Sequence, residues 1–300
     1  MTGGEAYLKL EYFENAAATV ADTIEAIGER TAKEFREPKW IIKSRIKSGD
    51  GIEEKISRKR RARPSYSAKD LTDIAGVRVI VASLATASAL ADFIRSERIF
   101  TVVKADSEDF NSRPREDGYR GIHMIVRVQS HLPGRPVVPV ELQIRTAIQH
   151  QWAELSHADF YKEAREIPPD LLERMRALSE VLHAADVEAE NLRNSRVVDE
   201  CLTALRQCLR GKVLEELAPW RVQSKERASE IGRSAIALVE LFSLARRIAG
   251  TRGERRERAL SSLEAAYRDL AEREPAIAAS VAGAIARLKA LGTGIPRDWL

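Results

Sequence analysis

Apolar residues change their spacing several times along the chain, and each change marks a different kind of element. Between Glu5 and Phe35 they recur at three and four (Val20, Ile24, Ile27) with no proline before Pro38, which predicts a helical N-terminal arm. The β-branched run Val77 to Val81 predicts a strand, Ala85 to Glu97 a helix and Ile99 to Lys104 a second strand. Asp106 to Gly118, with Asn111, Pro114 and Gly118, reads as a loop. Two alternating segments follow, Ile122 to Gln129 and Val137 to Arg145, and the SHLPGRP between them suits a hairpin, so an antiparallel pair is predicted. Thr146 is placed to cap a helix through Ile148, Trp152 and Leu155. From Asp170 onward nearly everything is helix-forming, with Leu171, Leu172, Met175, Leu178, Val181 and Leu182 on one stripe and further amphipathic stretches near Cys201 to Leu217, Ser229 to Ala249 and Glu254 to Leu288.

This pattern predicts an α+β fold, a mixed or antiparallel sheet flanked by helices and followed by an all-α C-terminal region. The expected organisation is an arm over 1–38, a sheet-bearing domain over 39–165 and helices over 166–300. Composition fits a folded protein: of 300 residues, 44% are hydrophobic and 31% charged, which excludes a disordered chain. Cys201 and Cys208, seven apart in a helical stretch, are too few for a disulfide framework and are expected to pack in a core. No run approaches the eighteen or so apolar residues of a membrane span, and the N-terminus has acids where a signal peptide needs a basic flank, so a cytoplasmic protein with no membrane partner is expected. The formal charge of +4 hides an asymmetry: Lys39 to Arg63 holds ten Lys or Arg against three acids, a local excess of +7.

Alternation also assigns faces. Val77, Val79 and Val81 oppose Arg78; Ile122, Met124, Val126 and Val128 oppose His123, Arg127 and Gln129; Val140, Leu142 and Ile144 oppose Glu141, Gln143 and Arg145. If the apolar rows align, Arg78, His123, Glu141 and Gln143 converge on one face, which could equally be a plain solvated face. Asp73 lies just before the first of these strands and Glu141 inside the last. Two such carboxylates suit Mg²⁺, and Arg45, Lys47, Lys55 and Arg58 could neutralise a triphosphate, although a charge run is more usually a solvated helix. Gly118-Tyr119-Arg120-Gly121 sets an aromatic between flexible residues, where its ring could stand exposed and stack on a base. His150, Glu154 and His157 share a helix face at metal-ligand spacing, but a hydrogen-bonded His and Glu is the favoured reading of that trio.

Taken together, SRIKSGDGIEEKISRK (44–59), DIAGVRVI (73–80), GYRGIH (118–123), VELQIRT (140–146) and QWAELSHADFYK (151–162) resemble the synthetase domain of the RelA/SpoT homologue family, in particular the small alarmone synthetases. The resemblance implies a nucleotidyltransferase-like sheet and transfer of the β,γ-diphosphate of ATP to the ribose 3′-hydroxyl of GTP or GDP, making (p)ppGpp. Carried over by motif, Asp73 and Glu141 would hold Mg²⁺, with Glu141 also the general base. Arg45, Lys47, Lys55, Arg58 and Arg78 would grip ATP. Tyr119 would stack on guanine, with Arg115, His123, Gln143 and Arg145 on the acceptor side. Departures from the family pattern are Pro114-Arg115 for Pro-Lys, Leu155-Ser156-His157 for Leu-Glu-His, and Gly51 for a serine. No histidine directly precedes an aspartate, so the hydrolase activity of long family members is not expected. The C-terminal helices have no matching motif; homo-oligomerisation through helices is one use for them, alongside plain packing. Two other readings are a toxic variant making (p)ppApp or pyrophosphorylating the tRNA 3′ end, and a non-catalytic RNA-binding regulator.

Overall fold

Five strands form one sheet in the order β1-β2-β5-β4-β3: β1 (Ile41–Ile46), β2 (Ala75–Val81), β3 (Thr101–Asp109), β4 (Ile122–Gln129) and β5 (Val137–Thr146). The structure is a computed structural model that describes residues 9–35, 37–156, 167–216, 237–248 and 254–293. Only β2 and β5 run parallel, and every other pair is antiparallel. The mixed sheet therefore agrees with the expectation, as does the β4–β5 hairpin, closed by Ser130 N donating to Pro136 O at 2.9 Å.

Period-2 alternation gives the sheet one dry face. Val77, Val79, Met124, Val126, Val140, Leu142 and Ile144 are fully buried there, together with Ile24 from α1 (Leu10–Phe35) and Leu90 and Ile94 from α3 (Leu84–Ser96). Ser83 starts α3 by accepting from Thr86 N at 3.1 Å. Helix α2 (Gly49–Arg60) is capped by Ser48, buries only Ile52 and Ile56, and ends on Arg58, Lys59 and Arg60, where positive charge offsets the helix dipole. Thr146 caps α4 (Ala147–Ser156) as predicted, its Oγ1 accepting from Gln149 N at 3.1 Å.

Two strand assignments differ from the sequence reading. β1 lies inside the segment read only as a basic run, because Lys43 and Arg45 obscure a half-apolar strand that pairs on one side only; lysine on such an edge guards against unwanted pairing. β3 continues to Asp109, so the loop begins later than Asp106. Its register shifts between Val103 and Glu108, and Ser107 bridges the irregularity, donating to Val103 O at 2.8 Å and accepting from Ile125 N at 3.3 Å.

The chain divides into two compact units, the first running to Val187 and the second covering Glu188–Pro296. The beginning of α5 (Pro169–Glu216) falls in the first unit, with the sheet. In the second unit the rest of α5 packs with α6 (237–248), α7 (Glu254–Arg273) and α8 (Pro275–Thr293) around Leu205, Leu241, Leu263, Val281 and Leu288. Cys201 sits in this core, where burial pushes its thiol up to about 11, and Cys208 is partly exposed, 2.9 Å from Ser280 Oγ. Among the described residues no helix is long and apolar enough to cross a membrane.

Candidate active site

The polar face of the sheet opens into a cavity of about 510 Å³, lined by Arg45, Lys55, Asp73, Arg78, Arg115, Asp117, Tyr119, His123, Glu141, Gln143, Arg145 and Glu154, among others. Its volume lies within the ordinary range for small-molecule sites. Register explains the convergence: Arg78 pairs with Gln143, which pairs in turn with His123, while Glu141 stands two residues back on β5 opposite Gly76.

Asp73 is the centre of one cluster. Its Oδ2 accepts from Lys47 Nζ at 2.6 Å and from Lys55 Nζ at 2.5 Å, whereas its Oδ1 is buried with no hydrogen-bond partner. Burial pushes this carboxyl up, but the two lysine hydrogen bonds and charges outweigh it and hold the group below the usual carboxylate range. Glu141 behaves similarly. Burial raises it, His123 and Gln143 lower it further than that, and the neighbouring charge of Asp73 works against them.

A ladder of hydrogen bonds runs along β5: Arg145 Nη2 donates to Gln143 Oε1 at 2.8 Å, and Gln143 Nε2 donates to Glu141 Oε2 at 2.7 Å. His123 links Glu141 to Tyr119, with Nδ1 3.3 Å from Glu141 Oε1 and Nε2 2.6 Å from the Tyr119 hydroxyl. Burial raises the phenol, and its hydroxyl shares one hydrogen bond with Nε2, the donor set by the tautomer of the ring.

Several buried cationic donors here have no partner, namely Arg145 Nε and Nη1 and Arg78 Nε. Unpaired buried guanidinium nitrogens are costly unless something anionic satisfies them, and they point to a ligand rich in negative charge. The Asp73 Oδ1 orphan makes the complementary case for a cation. A hard divalent ion such as Mg²⁺, held by one or two carboxylates and otherwise by water and phosphate, fits this donor set.

The predicted residues are therefore mostly assembled, with two exceptions. Lys47 serves the site through Asp73 without lining the cavity, and Arg58, exposed on α2, lines no part of it. Tyr119 is a correction: the residue is only 6% exposed, so its ring does not stand free. It meets Phe110 and His123 edge-on, and the guanidiniums of Arg115 and Arg145 lie 5.0 and 4.9 Å from its centroid. Two backbone positions hold it there, Gly118 at φ +80° and Gly121 at φ +148°, where a Cβ on Gly121 would come within 3.3 Å of the Tyr119 hydroxyl. The sequence reading missed Glu154 as a cavity residue: it bonds Arg78 Nη1 at 2.5 Å and lies 3.8 Å from His150 Nδ1. His157, the third member of the possible metal trio, lies outside the described residues. Asp117 was also missed, although Asp-Gly is a turn signal; its Oδ1 accepts from Tyr119 N at 2.9 Å.

Fold and site define a phosphate-handling enzyme on a mixed sheet, and comparison with known proteins narrows that class. Residues 44–166 match the family model described as the region found in RelA / SpoT proteins. GTP pyrophosphokinase YwaC of Bacillus subtilis (strain 168) is 31% identical over 146 residues, 48% of this chain and 69% of that protein. GTP pyrophosphokinase YjbM of the same organism is 29% identical over 188 residues, 61% and 86% of the two chains. The crystal structure of small alarmone synthetase 1 from Bacillus subtilis bound to its product pppGpp superposes with a TM-score of 0.56 at 26% identity, covering 62% of this chain and 95% of that one. The chain belongs to the RelA/SpoT family of GTP pyrophosphokinases.

Proposed function

We propose that this protein transfers the β,γ-diphosphate of ATP to the 3′-hydroxyl of GDP or GTP, making (p)ppGpp. The observation that carries this reading is the convergence of Asp73 and Glu141 on one cavity floored by unpaired arginine nitrogens. In the reaction the 3′-oxygen forms a bond to the β-phosphorus, the bond from that phosphorus to the α,β-bridging oxygen breaks, and AMP leaves. The hydroxyl proton passes to Glu141, whose carboxyl burial raises but His123 and Gln143 bring below its ordinary range.

Arg78 and Arg145 supply fixed positive charge to the transferred group, while Arg45 and Lys55 meet the donor phosphates. Asp73 and Glu141 would hold Mg²⁺, which when bound neutralises phosphate charge and aligns the donor. Tyr119 is the stacking surface for the acceptor base, reached by displacing Arg115 from its face, and the displaced guanidinium is then free for acceptor phosphates. Diphosphate transfer needs positioning and charge rather than a covalent nucleophile, and the lining serine, Ser156, is engaged as a donor to Ala153 O at 3.3 Å.

The test is direct. Incubation with Mg-ATP and GDP or GTP, followed by chromatography, is expected to yield AMP and the 3′-diphosphorylated guanine nucleotide, with EDTA stopping the reaction and Mg²⁺ restoring it. Folded protein that gives no such product, or product only with ATP alone or tRNA as acceptor, overturns this reading.

A further inference from the structure

The start of α5 is pinned to the loop that carries Tyr119. Ser179, buried, donates its hydroxyl to Gly118 O, and Arg176 Nε donates to Glu116 O. The approach is close enough that a Cβ on Gly118 would stand 2.5 Å from Ser179 Cβ, so at this position glycine is demanded by the helix as well as by φ. Further contacts close a ring. Glu180 Oε1 accepts from Arg120 Nη2 at 2.7 Å; Arg120 Nη1 donates to Asn111 O at 3.2 Å; Asn111 Oδ1 accepts from Gln149 Nε2 at 2.7 Å. Gln149 and Thr146 cap each other across the first turn of α4, and Thr146 Oγ1 donates to Asp186 Oδ2 at 2.7 Å, back on α5.

None of these six ring residues lines the cavity. They bracket two that do, since Arg120 follows Tyr119 and Thr146 follows Arg145. The Arg120 side chain is only 10% exposed and Asp186 is buried too, although Glu180 stands largely exposed, so the ring is costly to leave half-satisfied at its two buried members. The lysine cluster around Asp73 is built from the end of β1, α2 and the approach to β2, and among the described residues its hydrogen bonds do not reach α5.

We propose that the stretch Ser179 to Asp186 of α5 is a positioning element for the acceptor half of the site, with Ser179, Glu180 and Asp186 as positioning residues that fix Tyr119 and Arg145 without touching substrate. This rests on the functional reading above for the identity of the acceptor. Loosening the brace weakens guanine-nucleotide capture while leaving ATP capture intact, a split that general destabilisation does not produce.

The experiment uses the full chain with Glu180→Gln, Ser179→Ala and, separately, Asp186→Asn. Steady-state rates are measured with ATP and GDP varied in turn, and hydrogen exchange is followed at the amides of Gly118, Tyr119 and Arg120. Glu180→Gln is expected to raise KM for GDP about tenfold, the size of one charge-assisted hydrogen bond, with KM for ATP changed by less than about twofold. Loop amides are expected to exchange faster while β2 and β5 stay protected. An unchanged KM for GDP, or a parallel rise in both KM values, overturns the proposal. Exchange is independent of chemistry: if the wild type transfers no diphosphate, the functional reading fails, whereas unchanged loop exchange in the variants defeats the brace whatever the reaction is.

Discussion

Asp73 uses one carboxylate oxygen to pair with two lysines and keeps the other buried and unpartnered, an arrangement that orders the group for a cation at the expense of local stability. Its folded carboxyl is held below the unfolded value near 3.8, so the stabilisation it contributes is fully present above that value and is lost as pH falls through the lower folded one. Urea midpoints measured from neutral pH down to about pH 3 are expected to fall more steeply for the wild type than for Asp73→Asn; the variant should be less stable at pH 7 by about 1–3 kcal/mol, having left Lys47 and Lys55 unpaired. Glu141 has the opposite emphasis, with both oxygens engaged by His123 and Gln143. Replacing it with Gln keeps the shape and removes the proton acceptor, so turnover is expected to drop by about 10²–10⁴-fold with binding of a non-hydrolysable ATP analogue nearly intact. Equal loss of binding and turnover, in calorimetry beside product assays, would assign Glu141 to donor binding instead.

At the scale of elements, α1 is fitted to the sheet closely enough to fix one residue type. Gly28 faces Trp40, which precedes β1, and a Cβ there would stand 2.8 Å from Cε3 of the buried indole. In an open helix Ala would gain about 1 kcal/mol over Gly, but here the ring must move, and Gly28→Ala is expected to destabilise by about 1–3 kcal/mol in thermal or chemical unfolding. A stabilising result would mean that Trp40 yields easily. The elements legible in the sequence were those with one dry face. Val77 to Val81, Ile122 to Gln129 and Val137 to Arg145 declared themselves by alternation because each crosses the middle of the sheet. β1 and the far end of β3 did not, since an edge strand buries half as much and its Lys43, Arg45, Asp106 and Glu108 read as loop or solvated helix.

For the whole molecule, the excess of +7 between Lys39 and Arg63 turns out to be partly committed. Lys47 and Lys55 are spent on Asp73, Lys39 on Glu25 and Glu29, and Arg63 on Asp70, so the field that a triphosphate meets is the remainder together with Arg78 and Arg145. Capture of ATP is still expected to be salt-sensitive: raising ionic strength from about 0.05 to 0.5 M should lower kcat/KM for ATP several-fold with a smaller change in kcat, because screening acts on encounter more than on the closed site. A salt-independent kcat/KM would assign the basic segment to structure alone. The sequence by itself determined the alternation that sorts Arg78, His123, Glu141 and Gln143 from their apolar neighbours, and the ordered motifs that mark the family, since both are properties of spacing. Tertiary structure decided what spacing cannot encode: the parallel β2–β5 register that unites Arg78 with Gln143, the burial of Tyr119 between two arginines, the Glu154–Arg78 pair and the ring from Glu180 to Asp186. Apart from Arg115 and Tyr119, each of these joins residues distant along the chain, and only packing determines which of many possible polar partners meet.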